Sequence, residues 1–473
     1  MAGLSLPISG QLSAAPKSVA TGGSAPIVSF VSLGCAKNLV DSEKMLGQLA
    51  QSGAVISGDE SVADTIVVNT CGFLESSRTE ALEILRELAE RKRAGKLKRI
   101  VVAGCLVQRD GSKLTDWVPE IDALVGVNNR DDVVTAVWRN QRDAGVSMHL
   151  GEYHAVTLDA PNRWNDQGRL RLTPQHYAYV RVSEGCNQKC TFCTIPSIRG
   201  PMHSKTRAEL VRECNELVAD GAKELILIGQ DTTSYGADLG DGSDLSALLR
   251  TLDVEVDSAA RWIRLMYVYP SIMTDAMIDA IAESSRVVKY IDIPLQHATD
   301  RMLRAMHRRV TRAQTESLLD KLRTRIPGVA IRTTFIVGFP GETEQDFSEL
   351  LSFIGDQGFD AAGAFKYSLE AETPSGRMKE QLSPEWKQER HERFMLAQQE
   401  IAFKRARAWK GKTFEVLIDS HADGRTAIAR HSGQAPEVDA TTIVRPTDAQ
   451  PGEFVTVTCS GASDYDLLAR LST

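Results

Sequence analysis

No stretch of this chain holds the roughly 18 consecutive apolar residues of a membrane-spanning helix, so no membrane association is expected. Cysteine is scarce. Eight in 473 residues are too few and too spread out for the disulfide framework of a small secreted domain. Positive charge is not in excess either: 55 Lys and Arg stand against 62 Asp and Glu, a formal net charge of −7. The molecule as a whole is therefore not built to coat nucleic acid. Met1 to Ala25 hold Ser, Gly, Ala and Pro but no basic segment followed by an apolar run, so they do not read as a secretory signal. A disordered extension over residues 1–25 is expected. What remains is a soluble composition, 42% hydrophobic and 25% charged, in a chain long enough for roughly two to four domains.

The few cysteines are not scattered. Six of them fall into two sets of three, thiols best kept in a reducing, cytoplasmic setting. One set lies in Cys186-Asn187-Gln188-Lys189-Cys190-Thr191-Phe192-Cys193, after a strand-like run Tyr177–Ser183 and before Ile195-Pro196. Three thiolates on one short loop can hold three corners of a cubane iron–sulfur cluster. Such clusters normally take four thiolates, and structural zinc sites also close with four ligands. Three ligands with no obvious fourth point to an open iron kept for a substrate or cofactor. The alternatives are a zinc knuckle short of a ligand, or disulfide partners.

The other set is Cys35, Cys71 and Cys105, each at the end of an apolar, β-branched run: Ile27–Leu33, Thr65–Thr70 and Arg99–Gly104. Helical patterns follow the first two, over about 38–52 and 76–93. Continuous apolar strands alternating with helices predict a parallel sheet covered on both faces. All three cysteines then lie at the carboxyl edge, where open α/β sheets place their sites. Together they could hold a second cluster, whereas a lone cysteine there is more often a small buried hydrophobe.

After a polar connector over 142–175, six strand candidates alternate with helices: Tyr177–Ser183, Glu224–Gly229, Trp262–Tyr269, Tyr290–Pro294, Ala330–Val337 and Ala361–Tyr367. This pattern predicts an incomplete (β/α)6 barrel working at its carboxyl strand ends. Three segments would meet there: Gly229–Thr233, Pro294–His297 and Gly338–Thr343. Gly338-Phe339-Pro340-Gly341 also reads as a plain helix-opening turn, His297 as a structural histidine, and Cys214 and Cys459 as core packing. The basic run of Lys387, Arg390, Arg393, Lys404, Arg405, Arg407 and Lys410 reads as a solvated helix face. From Gly411 onward, four short strands predict a small antiparallel β-barrel. It has five Lys/Arg against nine Asp/Glu, and this acidity suits a basic protein better than RNA.

The C-x3-C-x2-C spacing with Phe192 before the last cysteine resembles the signature of radical S-adenosylmethionine (SAM) enzymes. Ser32-Leu33-Gly34-Cys35-Ala36-Lys37-Asn38-Leu39-Val40-Asp41-Ser42-Glu43, with Val68–Phe73 and Ala103–Leu106, is similar to the N-terminal domain of the methylthiotransferases. The final barrel resembles a TRAM domain. This resemblance implies two [4Fe–4S] clusters: an auxiliary one on Cys35, Cys71 and Cys105, and a SAM-binding one on Cys186, Cys190 and Cys193. Expected domains are 26–141 for the auxiliary cluster, 176–408 for the radical SAM barrel and 409–473 for the TRAM-like barrel. No catalytic side chain or individual SAM contact is assigned. Lys37–Glu43 and Gly229–Gly236 are more similar to the branch that methylthiolates the β-carbon of an aspartate in small-subunit ribosomal protein S-twelve. Ala36 stands where proline is expected. The implied partners are that protein, an electron donor such as flavodoxin or ferredoxin, and a sulfur donor. A tRNA-adenosine methylthiotransferase and a non-enzymatic iron–sulfur scaffold that binds RNA are the alternatives.

Overall fold

The computed structural model describes residues 25–139, 145–150 and 164–472. The extension expected over 1–25 lies outside them but for Ala25, as does part of the connector. The chain divides into two compact units. One is Met1–Pro174 with Glu184–Gln188 and Cys193–His203, and the other is Gln175–Ser183, Lys189–Phe192 and Ser204–Thr473.

The first unit is built on strands β1 (Ile27–Ser32), β2 (Val55–Ile56), β3 (Thr65–Thr70), β4 (Arg99–Gly104), β5 (Ala123–Gly126) and β6 (Ser147–His149). They form one parallel sheet in the order β2-β1-β3-β4-β5-β6. Strand β6 comes from the stretch that reads as a connector in the sequence. Side chains on successive residues of a strand face opposite ways, and both faces are apolar here. Ile66, Val68, Ile100 and Val102 pack with Leu85 and Leu88 of helix α2 (Glu75–Arg93). Val67, Val101 and Ala103 pack with Met45 and Leu49 of helix α1 (Ala36–Gln51). Burying each such Val contributes about 1.5–3 kcal/mol. Because β1, β3 and β4 are neighbours, Cys35, Cys71 and Cys105 follow three consecutive strands of the sheet.

In the second unit, six parallel strands run Tyr177–Arg181, Glu224–Ile228, Trp262–Leu265, Tyr290–Asp292, Ala330–Val337 and Ala361–Lys366. They pair as two three-stranded sheets. Between the third and fourth strands only scattered bonds cross, among them the amide of Val288 to the carbonyl of Ile263 and that of Val268 to Asp292. Tyr267, with φ of 62°, turns the backbone out of the ladder there. Thr206, Thr274, Thr299, Thr311 and Thr343 each cap a following helix by accepting its third amide, at about 1 kcal/mol apiece.

Helix Pro384–Arg407 leads into a closed five-stranded barrel, one strand more than the pattern suggested. The missed strand, Asp466–Leu471, pairs parallel with Thr442–Val444, so the barrel is not wholly antiparallel. Its hairpin turns at Asp464 with φ of 53° and lacks the Gly or Asn that usually marks such a turn. Arg390 is not on a solvated helix face either: it is buried and donates to the carboxylate of Glu342 at 2.5 Å. No helix among the described residues is long and apolar enough to cross a membrane.

Candidate active site

Cys35 is exposed at the start of α1, Cys71 half-buried after β3, and Cys105 buried as the first residue of helix α3 (Cys105–Asp110). Each stands beside a glycine that could not be larger. A Cβ on Gly34 would lie 2.9 Å from that of Cys71. On Gly72 it would lie 2.8 Å from the backbone of Cys105, and on Gly104 2.2 Å from Asn69. These close approaches draw the three strand ends together. Neighbouring strands sit about 4.8 Å apart, whereas a single ion at about 2.3 Å from each sulfur needs all of them within about 4 Å of one another. Among the described residues no group of three or more His, Cys, Asp or Glu side chains is arranged to hold a metal ion.

The sulfurs also influence one another. Burial, with the charge of Cys35, raises the Cys71 thiol above its usual range. Burial pushes the Cys105 thiol up to about 12, and the Arg199 guanidinium opposes it. Arg199 is buried and donates from Nε to the Cys105 sulfur at 3.3 Å. Its other nitrogens reach Glu184 at 2.7 Å, Asp41 at 3.1 Å and the side-chain oxygen of Asn38. Asn38 in turn donates to the carbonyls of Leu33 and Thr70 at 3.1 and 2.9 Å. The polar motif Asn38–Glu43 thereby gains a role. Asn38 and Asp41 hold strand ends and arginines, Asp41 also accepts from Arg130 at 3.1 Å, and Ser42 accepts from Asn69 at 2.9 Å.

In the second set, Cys186 is buried and Cys190 and Cys193 are half-buried. Within the first unit, Gly185 has φ of 78° and leaves no room for a side chain, since a Cβ would lie 2.2 Å from the carbonyl oxygen of Pro201. The Cys186 amide donates to the Gly200 carbonyl at 2.9 Å, and that of Gln188 to the Cys186 sulfur at 3.4 Å. Within the second unit, Thr191 donates through its hydroxyl to the Ala305 carbonyl at 2.8 Å, and Phe192 packs against Met302, Met306, Phe339 and Tyr367. Arg308 donates to the Cys190 sulfur at 3.7 Å and to the Pro294 carbonyl at 2.7 Å. Its guanidinium lies 3.9 Å from the centre of the Tyr269 ring. Burial pushes the Tyr269 phenol up to about 12, with Arg308 opposing and Cys190 adding.

The three strand-end segments are held by internal bonds. Asp231 accepts from the amides of Thr233 and Ser234, and Thr232 donates to Met266. The His297 ring lies 3.0 Å from the Glu342 carboxylate and accepts the Thr299 amide. Glu342 also takes the Gly338 amide at 2.7 Å, which fixes the Gly338–Gly341 turn. Cys214 and Cys459 are buried in apolar clusters. Sequence reasoning missed Glu184, Arg199, Tyr269 and Arg308. Glu184 and Arg199 bracket the cysteine loop, but nothing in the residue pattern shows that they pair.

The acidity of the terminal barrel takes on a different meaning. Asp419 meets His176 at 2.8 Å, Glu415 meets Arg261 at 2.7 Å, Glu437 accepts from Tyr177 at 2.9 Å and Asp439 from Tyr290 at 2.7 Å. These four acids bind the barrel to the strands beside it. Asp466 caps Thr441, and Arg430 is buried. The exposed charges are Asp423, Glu437, Asp448, Glu453 and Asp464 against Lys412, Arg425, Arg445 and Arg470. The exposed acidic excess, five against four, is smaller than the nine against five of the whole segment.

Family models match in chain order. Residues 27–126 match Uncharacterized protein family UPF0004, 180–354 the Radical SAM superfamily and 411–471 the TRAM domain. The chain is 41% identical over 448 residues to the ribosomal protein uS12 methylthiotransferase RimO of Trichlorobacter lovleyi, covering 94% of this chain and 98% of that protein. It is 42% identical over 453 residues to the RimO of Desulforamulus reducens, covering 94% and 100%. Among solved structures, the radical SAM methyltransferase TsrM of Kitasatospora setae superposes with a TM-score of 0.51 at 15% identity, over 74% of this chain and 77% of that one. That likeness concerns the fold.

Proposed function

This chain belongs to the ribosomal protein uS12 methylthiotransferase family, and from that premise we propose that it methylthiolates the β-carbon of an aspartate in small-subunit ribosomal protein uS12. One SAM serves as methyl donor and a second as radical source. The observation that carries this reading is the match over nearly the whole length of both chains, with three domain models in order. As a radical SAM enzyme the protein uses an iron–sulfur cluster and SAM. We place the SAM-binding cluster on Cys186, Cys190 and Cys193, and an auxiliary cluster on Cys35, Cys71 and Cys105. Bound there, the clusters supply the electron for SAM cleavage and the site of sulfur delivery; an external electron donor and sulfur donor serve them.

The chain's own residues do the positioning. Gly34, Gly72 and Gly104 let three strand ends close up. Arg199 and Arg308 each present a cation to one ligand sulfur. Phe192 packs against Met302, Met306, Phe339 and Tyr367 on one flank of the loop. A tRNA-adenosine methylthiotransferase is the competitor to test. Reconstituted enzyme, offered uS12 and tRNA in parallel with SAM, a reductant and sulfide, should add a methylthio mass to an aspartate of uS12 alone. A mass gain on tRNA adenosine would overturn the substrate while leaving the chemistry.

A further inference from the structure

We propose that Arg199 is a positioning residue that sets the reduction potential of the group held by Cys35, Cys71 and Cys105. The proposal rests on the reading that these cysteines carry an auxiliary cluster. Hydrogen bonds and nearby charge are main determinants of iron–sulfur potentials, and the surroundings of Cys105 offer both. The Arg199 guanidinium is buried with its Nε–H on the Cys105 sulfur at 3.3 Å. It cannot rotate away, because Glu184 and Asp41 hold its terminal nitrogens at 2.7 and 3.1 Å. A planar fork with donors fixed on three sides cannot be replaced by lysine without losing one of those contacts.

The arrangement has a sign. The cation favours the more negative, reduced form of whatever Cys105 ligates. Glu184, itself buried, partly cancels that cation. Removing Arg199 should therefore lower the potential, and neutralising Glu184 should raise it. A merely structural ion pair predicts no such opposition, since losing either member would weaken the fold alike.

The test uses the full chain carrying Cys186→Ala, Cys190→Ala and Cys193→Ala, reconstituted with iron and sulfide so that only the auxiliary site can load. The ratio of reduced to oxidised cluster is read by electron paramagnetic resonance at a fixed potential. Arg199→Gln should lower that ratio at least threefold at unchanged iron content, and Arg199→Lys should fall between it and the parent. Glu184→Gln should raise the ratio at least threefold. A tenfold change corresponds to about 59 mV for one electron. If Arg199→Gln fails to fold, Glu184→Gln and Arg199→Lys still decide the matter. Loaded variants with the parent ratio, or shifts of one sign for both Arg199→Gln and Glu184→Gln, would overturn the proposal. A parent that takes up no iron would instead overturn the auxiliary-cluster reading beneath it.

Discussion

The two cysteine triads offer three sulfurs in opposite ways. Cys35, Cys71 and Cys105 stand 36 and 34 residues apart and become neighbours only because β1, β3 and β4 pair in that order. Cys186, Cys190 and Cys193 are neighbours by chain connectivity alone. The first arrangement depends on the whole sheet, the second on a glycine turn and a few anchoring bonds. Their arginines differ too. Arg199 is compensated by two carboxylates. Arg308 is held by a tyrosine face and a carbonyl, with no carboxylate at ion-pair distance among the described residues. A scaffold assembled from distant segments buries more charge and balances it, whereas a local loop can leave its cation uncompensated.

The largest effects should come from the sulfurs. Changing any of Cys186, Cys190 or Cys193 to Ala should abolish 5′-deoxyadenosine formation from SAM. Changing Cys35, Cys71 or Cys105 should spare that cleavage and stop sulfur insertion. Methylthiolated product from any of the six variants would break the comparison. Gly104→Ala and Gly185→Ala come next. Gly104 has φ of 96° and its Cβ would lie 2.7 Å from the Thr70 carbonyl oxygen. Gly185 is as crowded, so each substitution should cost about 3 kcal/mol locally. Iron content should fall by about half in both, with SAM cleavage kept in Gly104→Ala and lost in Gly185→Ala.

Smaller again is Arg308→Gln. In a chain carrying Cys35→Ala, Cys71→Ala and Cys105→Ala, it should lower the reduced fraction of the remaining cluster more than tenfold. Arg199→Gln should do less to its own cluster, because a buried carboxylate left without its partner takes up a proton and offsets the lost cation. Redox titration of both variants settles the order. An equal or larger shift for Arg199→Gln would remove the distinction between compensated and uncompensated scaffolds.

Much of this was legible in the residues. The strands Thr65–Thr70, Arg99–Gly104 and Ala330–Val337, and the strand-end position of three cysteines, follow from runs of β-branched residues between breakers, a local signal. Glu184–Arg199–Asp41 was not legible, because a buried ion pair looks like surface charge until its partner, 158 positions away from Arg199 in the case of Asp41, is known. Arg390 misled for the same reason. A net count of the barrel's acids could not show which of them face Tyr177, Tyr290 and His176 rather than solvent.

The smallest expected effect concerns Glu43, on the helix that begins beside Cys35. Its carboxylate is buried and accepts from the amides of Leu172 and Thr173 at 2.9 and 3.3 Å, with Arg169 at 3.4 Å. Burial outweighs these partners and raises its pKa above the ordinary 4.5. A raised value in the fold means that this group's contribution is fully present below 4.5 and is lost as the pH climbs through the folded value. Glu43→Gln keeps an acceptor for the Leu172 amide and removes the titration. Hydrogen exchange of α1 amides, followed upward from pH 4.5, should therefore show protection declining in the parent and staying flatter in the variant. The difference in slope should stay below the about 1.4 kcal/mol per pH unit that one proton carries. Parallel slopes would show that the sheet-wide scaffold of the first triad does not draw on Glu43, and would narrow its extent to the residues that touch Arg199 and the three strand ends.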